Sequence, residues 1–142
     1  MRSCFEFFDH TADMGVRVRA GTLPDLFRCA GKALYAAIGV LAVRRDASSV
    51  SQVSFDLAAG DTANLLQDYL TRLLIVFESD HAVVSSVKFI TLTDQRLIAG
   101  GIGKPLDPER CVFHREVKAI TYHLLSVERT ADGFEAVFIL DI

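Results

Sequence analysis

The stretch Val117–Ile142, VKAITYHLLSVERTADGFEAVFILDI, decides the fold. Two runs rich in β-branched and aromatic residues, Val117 to Glu128 and Phe134 to Ile142, are joined through Asp132-Gly133. An Asp-Gly pair favours a two-residue hairpin turn, because both residues tolerate the positive φ that such a turn needs. A turn at that pair places Ile142 opposite His123 and Asp141 opposite Leu124. The end of the sequence is therefore expected inside a sheet and not as a frayed tail.

Working outward, Val83 to Leu92 and Arg96 to Ile102 read as a second hairpin about Thr93, Asp94 and Gln95. The cluster Gly100, Gly101, Gly103 and Pro105 is expected to end it, and Asp107-Pro108 to open a loop. Val53, Phe55 and Leu57 alternate with Ser54 and Asp56, the pattern of a half-buried strand. Nearer the start, Cys4 to Phe8 and the alternation of Val16 and Val18 with Arg17 and Arg19 predict two short strands flanking a polar turn, Asp9 to Asp13. Two helical periodicities interrupt the strands. Thr22 offers an N-cap ahead of Pro24 and Asp25, and Leu26, Ala30, Leu34 and Ile38 then recur every fourth residue up to Gly39. Asp61 can cap a second helix whose apolar face carries Leu66, Leu70, Leu73 and Phe77, with Gln67, Asp68, Arg72 and Glu78 on its wetter side. The expected fold is α+β, a mostly antiparallel sheet with two main helices, in a single domain spanning residues 1–142.

Composition bounds the function. The 142 residues are 51% apolar and 23% charged, enough for one core without a disulfide or zinc staple. Fifteen basic against eighteen acidic residues give a net charge of −3, which excludes dominant binding to a phosphate backbone; any service to RNA would pass through another protein. The longest apolar run, residues 33–43, is far short of the about 20 residues that cross a bilayer. Glu6, Asp9 and Asp13 break up any export signal near the start. Cys4, Cys29 and Cys111 lie far apart with no C-x-x-C, so reduced thiols and a cytoplasmic location are expected.

Two places hold groups that could do chemistry. Asp9-His10-Thr11-Ala12-Asp13 packs two carboxylates, an imidazole and a hydroxyl between two strands. Aspartates belong in turns for their local hydrogen bonds; a hard-cation or acid/base site would need a third anionic group from elsewhere in the chain. Asp141 and the terminal carboxylate of Ile142 offer that group, although an acidic strand end is ordinarily just solvated. Like charges 4 Å apart cost roughly 4 kcal/mol at an effective dielectric of 20, a cost that a divalent cation removes. Oxygen-only ligands suit Ca²⁺ or Mg²⁺ better than zinc. Of His10, His81, His114 and His123, none shows the spacing of a zinc hydrolase, and His10 and His123 lie next to the two acidic places. Gly100-Gly101-Ile102-Gly103-Lys104 lacks phosphate-loop spacing and reads as a bulge or strand end.

Along almost its whole length the sequence resembles the archease family. The resemblance is carried by FEFFDHTAD from Phe5 to Asp13, the Thr22 to Ile38 helix, Leu65 to Asp80, Leu106 to Arg110, EVKAITYH from Glu116 to His123, and the closing Asp141-Ile142. It implies a strand-helix-strand-strand module with an inserted segment. It further implies an accessory activator of the GTP-dependent RNA-splicing ligase that joins tRNA exon halves, promoting guanylylation of the ligase and multiple turnover. The family binds a divalent cation, usually Ca²⁺. Its ligands map onto Asp13, Asp141 and the main-chain carboxylate of Ile142, with Asp9, His10 and His123 as supporting or partner-contact residues. Cys111 stands where relatives commonly carry a histidine.

Three functions follow as alternatives: this non-catalytic cofactor role, a chaperone-like modulator of an RNA methyltransferase, and a metal-dependent phosphohydrolase using Asp9, His10 and Asp13. The last would need substrate groups that the sequence does not display. The oligomeric state is left open.

Overall fold

The computed structural model describes residues 3–46 and 49–142. Its strands are β1 (Phe5–His10), β2 (Asp13–Ala20), β3 (Gly39–Val40), β4 (Ser51–Ala58), β5 (Ala82–Leu92), β6 (Arg96–Pro105), β7 (Val112–Phe113), β8 (Ala119–Ile120), β9 (Ser126–Thr130) and β10 (Gly133–Asp141). Its helices are α1 (Leu23–Ile38) and α2 (Thr62–Asp80). One sheet has the order β1-β2-β10-β8, with β9 also pairing β10; a second runs β4-β6-β5; β3 and β7 form a short ribbon. Every pairing is antiparallel. This is the expected α+β architecture.

Both helices start where their caps predict. The Thr22 hydroxyl accepts the Asp25 amide at 3.3 Å, and the Asp61 carboxylate accepts the Asn64 amide at 2.8 Å. Leu26, Ala30 and Leu34 of α1 are fully buried with Val16 and Val18 of β2 and Ala136, Phe138 and Leu140 of β10. The same contiguous core takes in Leu66 and Leu70 of α2 and Phe55, Leu97 and Ala99 of the second sheet. An aromatic cluster ties the halves together, with the Tyr69 ring 5.7 Å from Phe27, 5.2 Å from Phe55 and 5.9 Å from Phe89. No helix among the described residues is long and apolar enough to cross a membrane.

Four expectations are corrected. The polar turn shrinks: Asp9, His10 and Asp13 are strand residues, and only Thr11 and Ala12 turn the chain, with Thr11 at φ 47°. The glycine cluster does not end β6, which continues through it to Pro105. A Cβ at Gly101 would sit 2.7 Å from the Val84 side chain and one at Gly103 2.7 Å from the Ser51 hydroxyl, so these glycines let neighbouring strands approach. Gln67 is not on a wet face but buried, its amide donating to the Ile120 carbonyl at 3.0 Å.

The fourth correction concerns the thiols, for Cys4 and Cys29 form a disulfide with their Cα atoms 6.1 Å apart. Cys4 immediately precedes β1, and its carbonyl accepts the Arg19 amide of β2, the strand on which α1 packs; 25 residues of separation vanish in the fold. Closing a loop of that length restricts the unfolded chain by about 3 kcal/mol. Reduction is therefore expected to lower stability by about that amount in urea melts. Thiol titration of the unreduced, denatured chain should find Cys111 alone, and two further thiols only after reduction. Three reactive thiols without reductant would show that the bridge does not form in solution.

Candidate metal centre

The hairpin register of the final strand differs from the one predicted, and the difference builds the site. Gly133 pairs with Thr130, so Ala131 and Asp132 make the turn and Gly133 is the first strand residue. Its φ of 150° and the 2.3 Å that would separate a Cβ from the Ala20 carbonyl oxygen explain the glycine: the end of β2 presses on it. Between β8 and β9, residues 121–125 lie outside the strands, with Leu124 at φ 56°. Asp141 consequently pairs with Ala119, not with Leu124, and Ile142 does not pair with His123.

On its other side β10 pairs with β2, Leu140 facing Met14. One further step of that antiparallel register sets Asp141 opposite Asp13, and on β2's far side Asp13 pairs with His10. His10, Asp13 and Asp141 thus form one row across three adjacent strands, on the face away from α1, since the alternating residues Met14, Val16 and Val18 take the core side. Directly opposed residues have their Cβ atoms about 4.5–5.5 Å apart, so the register places the Cβ atoms of Asp13 and Asp141 at neighbouring positions.

The surroundings position this row. The main chain of Asp141 is held by the Lys118 amide at 2.7 Å, and the Thr121 amide bonds the Ile139 carbonyl at 2.9 Å. With the Gln67 bond to Ile120, these contacts fix the short β8 beside Asp141. Thr11 Oγ1 donates to the His10 carbonyl at 2.8 Å and closes the opposite corner. The 121–125 excursion carries His123 over to His10, their rings tilted by 53° with centroids 5.0 Å apart. The His10 Nδ1 atom is buried without a hydrogen-bond partner. Next along the same face, the Phe8 ring lies on Gly15, where a Cβ would approach it to 2.2 Å.

Electrostatics single out the two aspartates. Arg17 and Arg19 share their face, but Arg17 pairs with Glu6 at 3.3 Å and Arg19 with Glu135 at 2.7 Å. Among the described residues neither Asp13 nor Asp141 has an ion-pair partner. Two opposed carboxylates without a cation are destabilising, and a hard divalent cation is the species that their donor set suits. No group of three or more His, Cys, Asp or Glu side chains converges as a metal would require among the described residues. Ile142, 37% exposed, follows the last residue of β10.

The other sequence candidates fall elsewhere. Asp9 pairs with Met14, so it lies on the opposite face from Asp13 and is exposed. The glycine-rich run is strand β6 and offers no phosphate cradle. Cys111 is half-buried: its sulfur accepts the Ala42 amide at 3.2 Å and bonds the Ala42 carbonyl at 3.5 Å, clamping the chain after β3. Sequence reasoning missed Gln67, which was legible only as a polar residue in an apolar helix. It also missed the exposed apolar rim that the excursion presents, Tyr122 and Leu124, at 67% and 54% exposure.

The fold is that of a small α+β protein in which an antiparallel sheet sets the second strand beside the last, β2 beside β10. A model of the Archease protein family (MTH1598/TM1083) matches residues 5–142, and the chain belongs to that family. The archease of Methanopyrus kandleri is 36% identical over 142 residues, covering 97% of this chain and 99% of its own. The solution structure of Methanobacterium thermoautotrophicum protein 1598 superposes with a TM-score of 0.75 at 25% identity, covering 99% of this chain and all of its own. The crystal structure of a Thermotoga maritima archease, described as a possible chaperone, superposes with a TM-score of 0.68 at 18% identity, covering 100% of this chain and 98% of its own.

With divalent cations removed by EDTA, Asp13→Asn is expected to stabilise the chain by about 0.2–1 kcal/mol, because it removes like-charge repulsion across the β2–β10 pair. Urea denaturation of both proteins measures it. Destabilisation of similar size would show that the Asp13 carboxylate is already neutralised by the fold.

Proposed function

We propose that this archease is a non-enzymatic protein cofactor of the GTP-dependent RNA-splicing ligase, promoting ligase guanylylation and multiple turnover in tRNA splicing and RNA repair. The observation that carries the reading is the β2–β10 register, which continued one step past Leu140 and Met14 sets Asp141 opposite Asp13, neither with an ion-pair partner among the described residues. Family membership supports it. The cation, Ca²⁺, would be held by Asp13, Asp141 and the Ile142 main-chain carboxylate, and would supply the positive charge that lets those oxygens converge. His10 and His123 stand beside this row, with the Tyr122 and Leu124 rim as an apolar surface for a protein partner. RNA is served indirectly, in keeping with a net charge of −3.

The proposed compartment is the cytoplasm. Three reduced thiols no longer support that placement, since Cys4 and Cys29 are joined; the ligase role itself is the remaining reason for it. The likeness to a structure described as a possible chaperone is one of fold alone, and a chaperone-like modulator of an RNA methyltransferase is the alternative that the assay must separate.

If the site binds Ca²⁺, a hundredfold excess over the dissociation constant adds roughly 2.7 kcal/mol to the folded state. The thermal midpoint of the native chain is expected to rise with Ca²⁺ and fall back with EDTA, while that of Asp13→Asn stays still. In a multiple-turnover assay with ligase, GTP, Mn²⁺ and RNA ends, the native chain should accelerate ligation and Asp13→Asn should not. Full activation by a folded Asp13→Asn chain would overturn the proposed role of the carboxylate pair. Absence of activation by the native chain, with methyltransferase solubility improved instead, would favour the alternative.

A further inference from the structure

On the far side of α1 from the disulfide, a cavity of about 390 Å³ lies between α1, α2 and β5. Its walls are largely apolar, formed by Leu41, Leu73 and the Val83–Val87 segment. The cavity borders a β-bulge: the β5–β6 register shifts between Ser85 and Lys88, and Ser86 adopts a φ of 53°. Bulges recur beside binding sites because they redirect side chains that regular pleating would send elsewhere.

Lys32 and Tyr35 bring hydrogen-bond donors to this apolar space. The Lys32 ammonium has no ion-pair or hydrogen-bond partner among the described residues. The Tyr35 hydroxyl accepts the Val84 amide at 2.9 Å, which leaves its own proton to donate. Burial pushes the Tyr35 phenol up to about 12, so it keeps that proton at neutral pH. The other cation at the cavity, Arg28, is already engaged by Asp25 at 3.1 Å, by the Val87 carbonyl at 3.1 Å and by the Phe89 ring at 5.1 Å. Among the described residues no aspartate or glutamate lines the cavity.

We propose that this cavity binds a small amphipathic monoanion, an apolar body of acyl or aromatic-acid size bearing one carboxylate. The body occupies the space between Leu41, Leu73 and the bulge. The carboxylate meets the Lys32 ammonium and the Tyr35 hydroxyl. A volume of this order is that of an ordinary small-molecule site, in which a few polar groups orient a mostly apolar ligand. The unengaged cation and donor-only polar set choose an anion over a neutral or cationic ligand, since a charge-assisted hydrogen bond is the stronger kind. This site is separate from the carboxylate row and independent of the ligase reading.

The test is an amide-resolved NMR titration of the full chain at neutral pH with sodium octanoate and, separately, with 1-octanol. Octanoate should give saturable shifts centred on Tyr35 and residues 83–87, and should bind more tightly than octanol. Lys32→Met should weaken octanoate about two- to fivefold, the loss expected of an ion pair at an exposed lysine, while leaving octanol unchanged. Tyr35→Phe should weaken octanoate by a smaller factor. Lys32 is exposed on α1, so its loss should not perturb folding, and the spectrum itself reports whether it does. Absence of saturable shifts at the cavity, equal affinity for octanoate and octanol, or octanoate binding indifferent to Lys32→Met would each overturn the proposal.

Discussion

The pairing of β2 with β10 is the constraint on which the rest of the structure depends. It joins the second strand of the sequence to the last over the register from Phe134 facing Ala20 to Leu140 facing Met14. Val16, Val18, Ala136, Phe138 and Leu140 then share one face and are all fully buried against the helices. A one-residue slip would turn that whole set toward solvent and bring the alternate residues inward, among them Arg17, Arg19 and Glu135, so hydrophobic burial specifies the register strongly. The ladder is non-local, and its closure must offset the entropy of bringing the two ends of the chain together.

The same register sets the chemistry at the sheet's end. Once Leu140 faces Met14, the next pair outward is Asp141 and Asp13, and β1 adds His10 to the row. No local interaction asks for two carboxylates there, and the arginines farther along the face are taken up by Glu6 and Glu135. Two aspartates set opposite each other at a sheet edge are a local preference overruled by the global register, as sequence rules broken for tertiary reasons commonly are. The residues that stabilise this edge act through the backbone: Gln67 reaches from α2 to the Ile120 carbonyl, and the Lys118 amide holds the main chain of Asp141.

Two irregular segments among the described residues each accompany a candidate site. Residues 121–125 leave the β10 ladder, bring His123 to His10 and expose Tyr122 and Leu124 at the acidic edge. The bulge in β5 borders the apolar cavity under α1 and carries Ser85 into its lining. Both departures sit at sheet edges, where a strand can bend without breaking a ladder on each side.

Local chemistry was legible in the sequence wherever a short-range rule governed it. The Thr22 and Asp61 caps, the four-residue spacing in α1, the alternation in β4 and the Thr93–Gln95 hairpin follow from interactions within a few residues. Asp13 and Asp141 were legible as candidates because carboxylates at strand ends stand out against an apolar pattern. The tertiary structure decided what distant chain segments impose on one another. Gly133 reads as a turn residue, yet the end of β2 packs against it and moves the turn to Ala131-Asp132. Gln67 reads as solvent-facing, yet the Ile120 carbonyl needs its amide. Cys4 and Cys29 read as separate thiols, yet the β1–β2 hairpin packs beside α1 and joins them. In each case periodicity and propensity describe a residue's neighbours along the chain, whereas the deciding atom arrives from another element.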